Sequence, residues 1–192
     1  MDNQLKLPTT EMPVPDGLNR ITLGAGCFWC IEAVFQRIQG VQKIVSGYSG
    51  GFVEDPSYSA ISSGTTGHAE VIQIYYNPVI ISLTELLEIF WATHDPTSLN
   101  KQGGDAGPQY RSSIFYDSLD QKKLATSLKK QLDDSQVFDS PIVTEISTFS
   151  NFYAAEDKHQ DYYNQHAGQP YCQFVIKPKV DKLKKFFAER LK

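Results

Sequence analysis

The feature that most constrains the fold of this chain is a pair of strand segments that follow each other without a helix between them. Residues 69–76 (AEVIQIYY) combine β-branched and aromatic residues and end at Asn77-Pro78, which is typical of a strand closed by a turn. Residues 41–47 precede them as another strand segment. Successive strands favour a mixed or antiparallel sheet, so we expect an α+β protein whose sheet is covered by helices, similar to the split βαβ arrangement.

The rest of the chain alternates short strand segments with helical ones. The remaining predicted strands are residues 21–23, 111–116 and 141–147. The predicted helices are residues 27–38, 82–94, 118–134, 155–165 and a C-terminal helix from Pro178. Residues 95–110 are Gly-rich and aperiodic, which indicates a loop, and residues 1–20 carry prolines without an apolar period, which predicts an extended arm. A single domain is expected over residues 21–192.

Composition and charge argue against several classes of function. The 192 residues carry 18 Lys and Arg against 22 Asp and Glu, a net charge of -4 without the basic surface of a nucleic-acid-binding protein. No apolar run approaches the roughly 18 residues that span a bilayer, and the N-terminus lacks the basic and apolar regions of a signal peptide. Three cysteines are too few for a disulfide scaffold. We therefore expect a cytoplasmic protein that binds neither nucleic acid nor membrane.

Two of the cysteines lie at the junction between a predicted strand and a predicted helix. Cys27 follows the small residues Gly24-Ala25-Gly26, and Cys30 lies one helical turn further on. A helix N-terminus favours the thiolate, and lowering the pKa of a thiol from about 8.5 by roughly 1.5 units makes about half of it reactive at pH 7. The small residues are expected to leave room for a substrate. The spacing suits a reversible disulfide between the two cysteines.

Three other interpretations of the cysteine pair remain open on spacing alone. Cys27 lies in line with Ile31 and Val34 on the predicted helix, so both cysteines can belong to the core. A zinc site would need a second pair of ligands, whereas the histidines are scattered: His68, His94, His159 and His166. A thioredoxin-like fold would also place its cysteines before a long helix, but the other motifs of that fold are not evident here.

Five short motifs follow one another along the chain. They are residues 26–30 (GCFWC), 47–51 (GYSGG), 67–71 (GHAEV), 103–112 (GGDAGPQYRS) and 155–163 (AEDKHQDYY). In this order and spacing, the chain resembles peptide-methionine (S)-S-oxide reductase, the A-type methionine sulfoxide reductase, from residue 21 to about residue 187. The resemblance implies a two-layer sandwich with a ferredoxin-like core. It also implies thiol-dependent reduction of free and protein-bound methionine-S-sulfoxide, which repairs oxidative damage.

The resemblance assigns a role to each matching residue. It makes Cys27 the nucleophile and Glu70 the acid that delivers a proton. It places three polar side chains around the sulfoxide oxygen: Tyr48, Asp105 and Tyr110. It makes two side chains the walls that hold the S-methyl group of the substrate: Phe28 and Trp29. Taken alone, Asp105 is more typical of a turn, and the two aromatic residues are more typical of a core.

Glu70 is the residue for which the sequence itself suggests unusual chemistry. On a strand it shares a face with Ile72, Ile74 and Tyr76, where burial would raise its pKa and keep the carboxyl protonated. The alternative is that Glu70 lies at the start of the strand and faces water.

The third cysteine and two departures from the family pattern bear on how the enzyme is recycled. Cys30 stands where the family more often has Gly, and the Gly-rich C-terminal tail that carries recycling cysteines in many members is missing; Pro108 also replaces the usual Thr. We expect a sulfenic acid on Cys27, which Cys30 attacks to form a Cys27–Cys30 disulfide, and a dithiol such as thioredoxin to reduce it. Cys172 is expected to be a buried structural thiol, with a second resolving role as the alternative.

No metal or cofactor is implied, and nothing in the sequence indicates an oligomer, so a monomer is expected. His68 and His159 are the histidines expected to support the site through hydrogen bonds. The alternative function is a general dithiol–disulfide oxidoreductase or a redox-sensing module. Either would use Cys27 and Cys30 but would have no use for Glu70, Tyr48 or Tyr110.

Overall fold

The computed structural model describes residues 13–192. In chain order the strands are β1 (Asn19–Ala25), β2 (Val41–Ser49), β3 (Ala69–Tyr76), β4 (Lys101–Gln102), β5 (Asp105–Ala106), β6 (Ser112–Tyr116), β7 (Glu145–Thr148) and β8 (Tyr153–Ala154). The helices are α1 (Phe28–Phe35), α2 (Tyr58–Ser62), α3 (Leu83–Ala92), α4 (Leu119–Asp134), α5 (Tyr162–His166) and α6 (Lys177–Phe186). None of these helices is long and apolar enough to cross a membrane.

Six strands form one mixed sheet in the order β7-β6-β1-β3-β2-β8. All neighbours are antiparallel except β6 and β7, which run parallel. The strands that the sequence placed in succession, β2 and β3, are paired antiparallel along almost their whole length. The α+β fold with a mixed sheet covered by helices is therefore confirmed.

Most of the apolar core lies between one face of the sheet and the helices. Alternate residues of β3, Ile72, Ile74 and Tyr76, face this core together with the apolar sides of α1, α3 and α6. The opposite face carries a smaller apolar cluster: Ala69, Val71, Phe115 and Phe152. All eight residues of β3 are consequently buried. A two-layer arrangement follows, with β3 at its centre.

Polar side chains cap two of the predicted helices at their starts. Ser82 and Glu85 form a capping box at α3: the Glu85 N–H donates to Ser82 Oγ at 3.2 Å, and the Ser82 N–H donates to Glu85 Oε2 at 2.8 Å. Ser118 caps α4 by accepting a hydrogen bond from the Gln121 N–H at 3.3 Å. Both caps satisfy N–H groups that a helix start leaves without a partner.

Several predicted boundaries differ from the structure. The Gly-rich segment 95–110 is not only a loop, since β4 and β5 pair within it. The helix predicted over 155–165 is reduced to α5, because Asp161 adopts a left-handed conformation with φ 52° that interrupts the helix. The strand predicted from residue 141 begins only at Glu145. The short elements α2 and β8 had no sequence signal strong enough to predict them. The expectation that no helix separates the two neighbouring strands is therefore wrong, since the five-residue α2 lies between β2 and β3.

The N-terminal arm lies largely outside the described residues. Residues 1–12 of the predicted 1–20 arm are not described, and β1 begins at Asn19, because Asn19 and Arg20 pair with Tyr76 and Tyr75 of β3. The single-domain expectation for residues 21–192 stays a prediction.

Candidate active site

Neighbouring strands bring the predicted site residues to one end of the sheet. Cys27 follows β1 and is the N-cap of α1, so the predicted helix begins one residue later than the sequence suggested. Glu70 lies at the start of β3, directly opposite Tyr48 on β2. The C-terminal end of β1 and the N-terminal end of β3 lie side by side because the two strands are antiparallel. The sheet topology thus collects residues that are far apart in sequence.

Glu70 is buried beside the start of α1. Its side chain is 1% exposed, so the alternative that it faces water is wrong. Its Oε2 atom accepts a hydrogen bond of 3.0 Å from the Phe28 N–H, and Oε1 has no hydrogen-bond partner within residues 13–192. Burial, with a smaller contribution from the charge of Asp105, raises the pKa of Glu70 to about 8. At neutral pH this carboxyl is protonated and holds a proton it can donate.

Cys27 and Cys30 are both reduced and buried. The expected lowering of the Cys27 pKa is wrong: burial raises the pKa of Cys27 well above its ordinary value, and its hydrogen bond to Cys30 adds to this. The first N–H of α1, from Phe28, points to Glu70, which removes a donor that could have stabilised a Cys27 thiolate. The hydrogen bond from Cys27 instead lowers the pKa of Cys30 to about 7.

The small residues before Cys27 serve the chain itself rather than a substrate. A Cβ atom on Gly24 would lie 2.4 Å from Ser113 Oγ, and one on Gly26 would lie 2.6 Å from the Gln102 side chain. Gly26 also has a φ of +86°, a conformation that side chains other than Gly rarely adopt. The expected substrate space at residues 24–26 is therefore filled by β6 and β4, and these glycines allow the tight turn into α1.

The phenol groups of Tyr48 and Tyr110 lie near Glu70 in different environments. Tyr48 is 1% exposed, and its hydroxyl donates a hydrogen bond of 2.9 Å to Glu156 Oε2. Burial, followed by the charge of Glu156, raises the pKa of Tyr48 far above its ordinary value. Burial, and then the charge of Glu70, also raise the pKa of Tyr110, so both phenols stay protonated. The hydroxyl of Tyr48 is thus held by Glu156.

Asp105 is connected to the cysteine pair through a tyrosine that sequence reasoning missed. The Tyr171 hydroxyl donates a hydrogen bond of 2.9 Å to Asp105 Oδ2 and lies 3.8 Å from Cys30 Sγ. Burial and the neighbouring cysteines raise the pKa of Tyr171 far above its ordinary value. The position of Tyr171 next to Cys172 was the one available signal for it.

Phe28 and Trp29 lie among aromatic rings beside the cysteines. Trp29 is half-buried and stacks on Tyr162 with ring centroids 3.7 Å apart and an interplanar angle of 7°. Phe28 lies 5.8 Å from the Tyr48 ring and 5.7 Å from the His159 ring. The rings that stack on Trp29, His159 and Tyr162, come from the 155–163 motif, whereas Phe28 stacks on Tyr58 of α2.

The remaining cysteine and histidine residues lie in less direct contact with the reactive groups. Cys172 is fully buried on the π-helical segment Cys172–Ile176 that leads into α6, as expected of a structural thiol. His68 accepts a hydrogen bond of 3.0 Å from the Gly51 N–H and bonds the Val53 carbonyl at 2.8 Å, so it holds the loop after β2. The ring nitrogens of His159 have no hydrogen-bond partner within residues 13–192, so the hydrogen-bonding role expected of it is not observed.

Comparison with known proteins decides the family. The family model described as "Peptide methionine sulfoxide reductase" matches residues 19–191. The chain belongs to the peptide methionine sulfoxide reductase family. The peptide methionine sulfoxide reductase MsrA of Ralstonia nicotianae is 51% identical over 186 residues, which cover 95% of this chain and 97% of that protein.

Solved structures of peptide methionine sulfoxide reductases share the fold. The reduced form of Mxr1 from Saccharomyces cerevisiae superposes with a TM-score of 0.75 at 35% identity, covering 82% of this chain and 91% of that one. The structure of Mxr1 in complex with Trx2 superposes with a TM-score of 0.53 at 30% identity, covering 76% of this chain and 86% of that one. The predicted family and its activity, thiol-dependent reduction of methionine sulfoxide, are confirmed. The alternative of a general dithiol–disulfide oxidoreductase is correspondingly disfavoured.

Proposed function

We propose that Cys27 attacks the sulfur of methionine-S-sulfoxide while Glu70 donates its proton to the sulfoxide oxygen. A sulfoxide is a poor electrophile until its oxygen is protonated or strongly hydrogen-bonded, so a buried neutral acid is the group this reaction needs. The observation that carries the proposal is the burial of Glu70 at the start of α1, where its carboxyl accepts one hydrogen bond, from the residue after Cys27, and where burial raises its pKa to about 8. The proton that the Cys27 thiol loses replaces the one that Glu70 donates, so the products are methionine and a sulfenic acid, Cys27–S–OH.

The polar and aromatic neighbours are proposed to orient the substrate. Tyr48, Tyr110 and Asp105 surround the sulfoxide oxygen, and Phe28 and Trp29 hold the S-methyl group. The Tyr48 hydroxyl donates a hydrogen bond to Glu156 Oε2. In the proposal, it exchanges this acceptor for the sulfoxide oxygen when substrate binds. An apolar slot for one methyl group is worth about 1–3 kcal/mol, so these rings select the orientation of the sulfoxide more than they lower the barrier.

Recycling is proposed to run through a disulfide between Cys27 and Cys30. The Cys30 thiolate attacks the sulfur of Cys27–S–OH, the S–S bond forms, and hydroxide leaves and takes up a proton as water. The position of Cys30 one turn along α1, its hydrogen bond from Cys27 and its pKa of about 7 support this assignment. An external dithiol such as thioredoxin then reduces the disulfide, which the complex of the related Mxr1 with Trx2 supports.

The experiment that tests this cycle is one turnover with methionine-S-sulfoxide followed by mass spectrometry of the protein. We expect a Cys27–Cys30 disulfide in the wild type. We expect no methionine from Cys27→Ser, and one equivalent of methionine but no thioredoxin-supported turnover from Cys30→Ser. Cys172→Ser is the matched control and should behave as the wild type. A Cys27–Cys172 disulfide, or normal thioredoxin-supported turnover of Cys30→Ser, would contradict the Cys30 step.

We further infer that residues 21–192 form one catalytic domain of a cytoplasmic monomer, with residues 1–20 as an arm. The need to reduce a catalytic disulfide in every cycle supports a reducing compartment. Size-exclusion chromatography with light scattering tests the monomer, and limited proteolysis followed by an activity assay tests whether residues 21–192 suffice.

A further inference from the structure

Lys179 is a half-buried cation on the first turn of α6. Within residues 13–192, no carboxylate lies within the 4.0 Å of an ion pair with it, in contrast to Lys177 on the same turn, which pairs with Asp181. A partly desolvated ammonium group without a counter-charge favours any anion that forms nearby.

The side chain of Lys179 borders a small cavity that it shares with Cys30. The other cavity walls are mainly apolar and come from the end of β1 and from α1, with Ala25, Ile31 and Val34. His94 also lines this cavity, and burial lowers its pKa to about 4, so it carries no charge at neutral pH. Lys179 is the one Lys, Arg, Asp or Glu among the residues that line the cavity.

We propose that Lys179 is a positioning residue that stabilises the thiolate form of Cys30, so that Cys30 is ready to attack the oxidised Cys27. This inference rests on the proposed Cys27–Cys30 cycle and assigns it a further residue. Because α6 packs against α1, Lys179 and Cys30 come to line the same cavity from neighbouring helices.

The ammonium group would act at two points of the cycle without forming a bond. In the resolving step it stabilises the Cys30 thiolate that displaces hydroxide from Cys27–S–OH. In the recycling step an external dithiol attacks the Cys27 sulfur, and Cys30 leaves as a thiolate that the same cation stabilises; a leaving thiolate of lower pKa departs faster. In the resolving step the Cys27–Cys30 S–S bond replaces the S–O bond of Cys27–S–OH, and in the recycling step an S–S bond to the external dithiol replaces the Cys27–Cys30 bond.

Several groups besides Lys179 also favour or oppose the thiolate form of Cys30. The hydrogen bond from Cys27 favours the Cys30 thiolate most, burial opposes it, and Lys179 is the next contribution in its favour. The Tyr171 hydroxyl also favours it, whereas the charge of Asp105 opposes it. Two more distant groups, Glu70 and Cys172, are affected by the charge of Cys30 in turn.

The test compares Lys179→Met with Lys179→Arg and with a matched control on the same helix, Lys182→Met. Lys182 is exposed, lies three residues further along α6 and does not line the Cys30 cavity. The first measurement is the rate at which Cys27–S–OH becomes the disulfide after one turnover, followed from pH 5.5 to 9.5. The second is the alkylation rate of Cys30 by iodoacetamide over the same range, in a Cys27→Ser, Cys172→Ser background.

We expect Lys179→Met to raise the pH midpoint of both rates by about one unit relative to the same background with Lys179. At pH 7 this slows both rates by about five- to tenfold, the larger factor applying where the midpoint already lies well above 7. Lys179→Arg should restore both, and Lys182→Met should match the wild type. An unchanged midpoint in Lys179→Met, or failure of Lys179→Arg to restore it, would overturn the proposal. Formation of a disulfide by Cys30→Ser would show that the proposed Cys27–Cys30 cycle is wrong. The alkylation rate of Cys30 would still test the effect of Lys179 on Cys30, because it does not depend on that cycle.

Discussion

Two carboxyl side chains at opposite ends of the central strands lie in contrasting environments. At one end, Glu70 is buried with a single hydrogen bond, from the Phe28 N–H, and faces no cation within ion-pairing distance among residues 13–192. At the other end, Asp117 follows β6 and accepts two hydrogen bonds of 2.8 Å from Arg20 of β1. Burial raises the pKa of Glu70, whereas the pairing with Asp117 raises the pKa of Arg20 and keeps it charged.

The contrast between Glu70 and Asp117 shows that the carboxyl at the site end is kept at a cost in folding stability. A paired carboxylate contributes to folding but has no proton to donate at neutral pH. An unpaired buried carboxyl costs stability as soon as it ionises, yet it keeps the proton that a sulfoxide reduction requires. The comparison yields three predictions, which probe first the chemical end and then the structural end.

The largest effect is expected from Glu70→Gln on turnover. The amide keeps the shape and can accept the hydrogen bond from Phe28, but it cannot deliver a proton, so we expect the rate of methionine release to fall by about 10²–10⁴-fold. Single-turnover assays with methionine-S-sulfoxide and dithiothreitol measure this rate. A loss of less than about threefold would mean that another group protonates the sulfoxide oxygen.

A second prediction concerns stability against pH. The carboxyl of Glu70 has a pKa of about 8 in the folded protein, against about 4.3 in an unfolded chain. Its contribution to stability is therefore fully present below about pH 4.3 and is lost as the pH rises to about 8, because the unfolded chain releases this proton first. We expect wild type to lose roughly 3–5 kcal/mol of unfolding free energy relative to Glu70→Gln across this range.

Urea denaturation of both proteins at intervals between pH 4.5 and pH 9 measures this difference. The two curves should diverge steadily up to about pH 8 and run parallel above it, as the folded pKa of about 8 requires. Curves that run parallel from pH 5 upwards would show that Glu70 ionises normally in the folded protein.

The smallest effect is expected at the opposite end of the strands. Asp117→Asn removes the carboxylate that holds Arg20 through two hydrogen bonds, so we expect the unfolding free energy to fall by roughly 1–3 kcal/mol. The rate of methionine release should stay within twofold of wild type, because Asp117 lies at the far end of β6 from Cys27. Thermal denaturation with a turnover assay measures both quantities. A tenfold loss of turnover in Asp117→Asn would contradict the claim that Asp117 contributes to stability and not to catalysis.

Local patterns predicted the parts of the molecule that neighbouring residues determine. Strand β3 and helix α3 followed from residue type and spacing. The left-handed Asp161 that shortens α5 did not, since Glu32 of α1 holds it there by accepting a 2.9 Å hydrogen bond from its N–H. That contact joins residues 129 positions apart in sequence.

In the candidate site, too, local patterns predicted some features, while others depend on tertiary contacts. The burial of Glu70 was suggested by the strand face it shares with Ile72 and Ile74. The high pKa of Cys27 was not predicted, because it depends on burial and on a hydrogen bond to Cys30. Tyr171 was missed because the π-helical segment that follows it comes to lie beside α1 only through tertiary packing.

The central claim is that the site holds a neutral carboxyl beside the reactive thiols, and infrared difference spectroscopy tests it directly. A pH titration of the reduced protein follows the carbonyl stretching band of a protonated carboxylic acid, with Glu70→Gln as the reference. We predict a band that is present at pH 7, disappears with a midpoint near pH 8, and is missing from Glu70→Gln. Loss of that band below pH 6 would contradict the account.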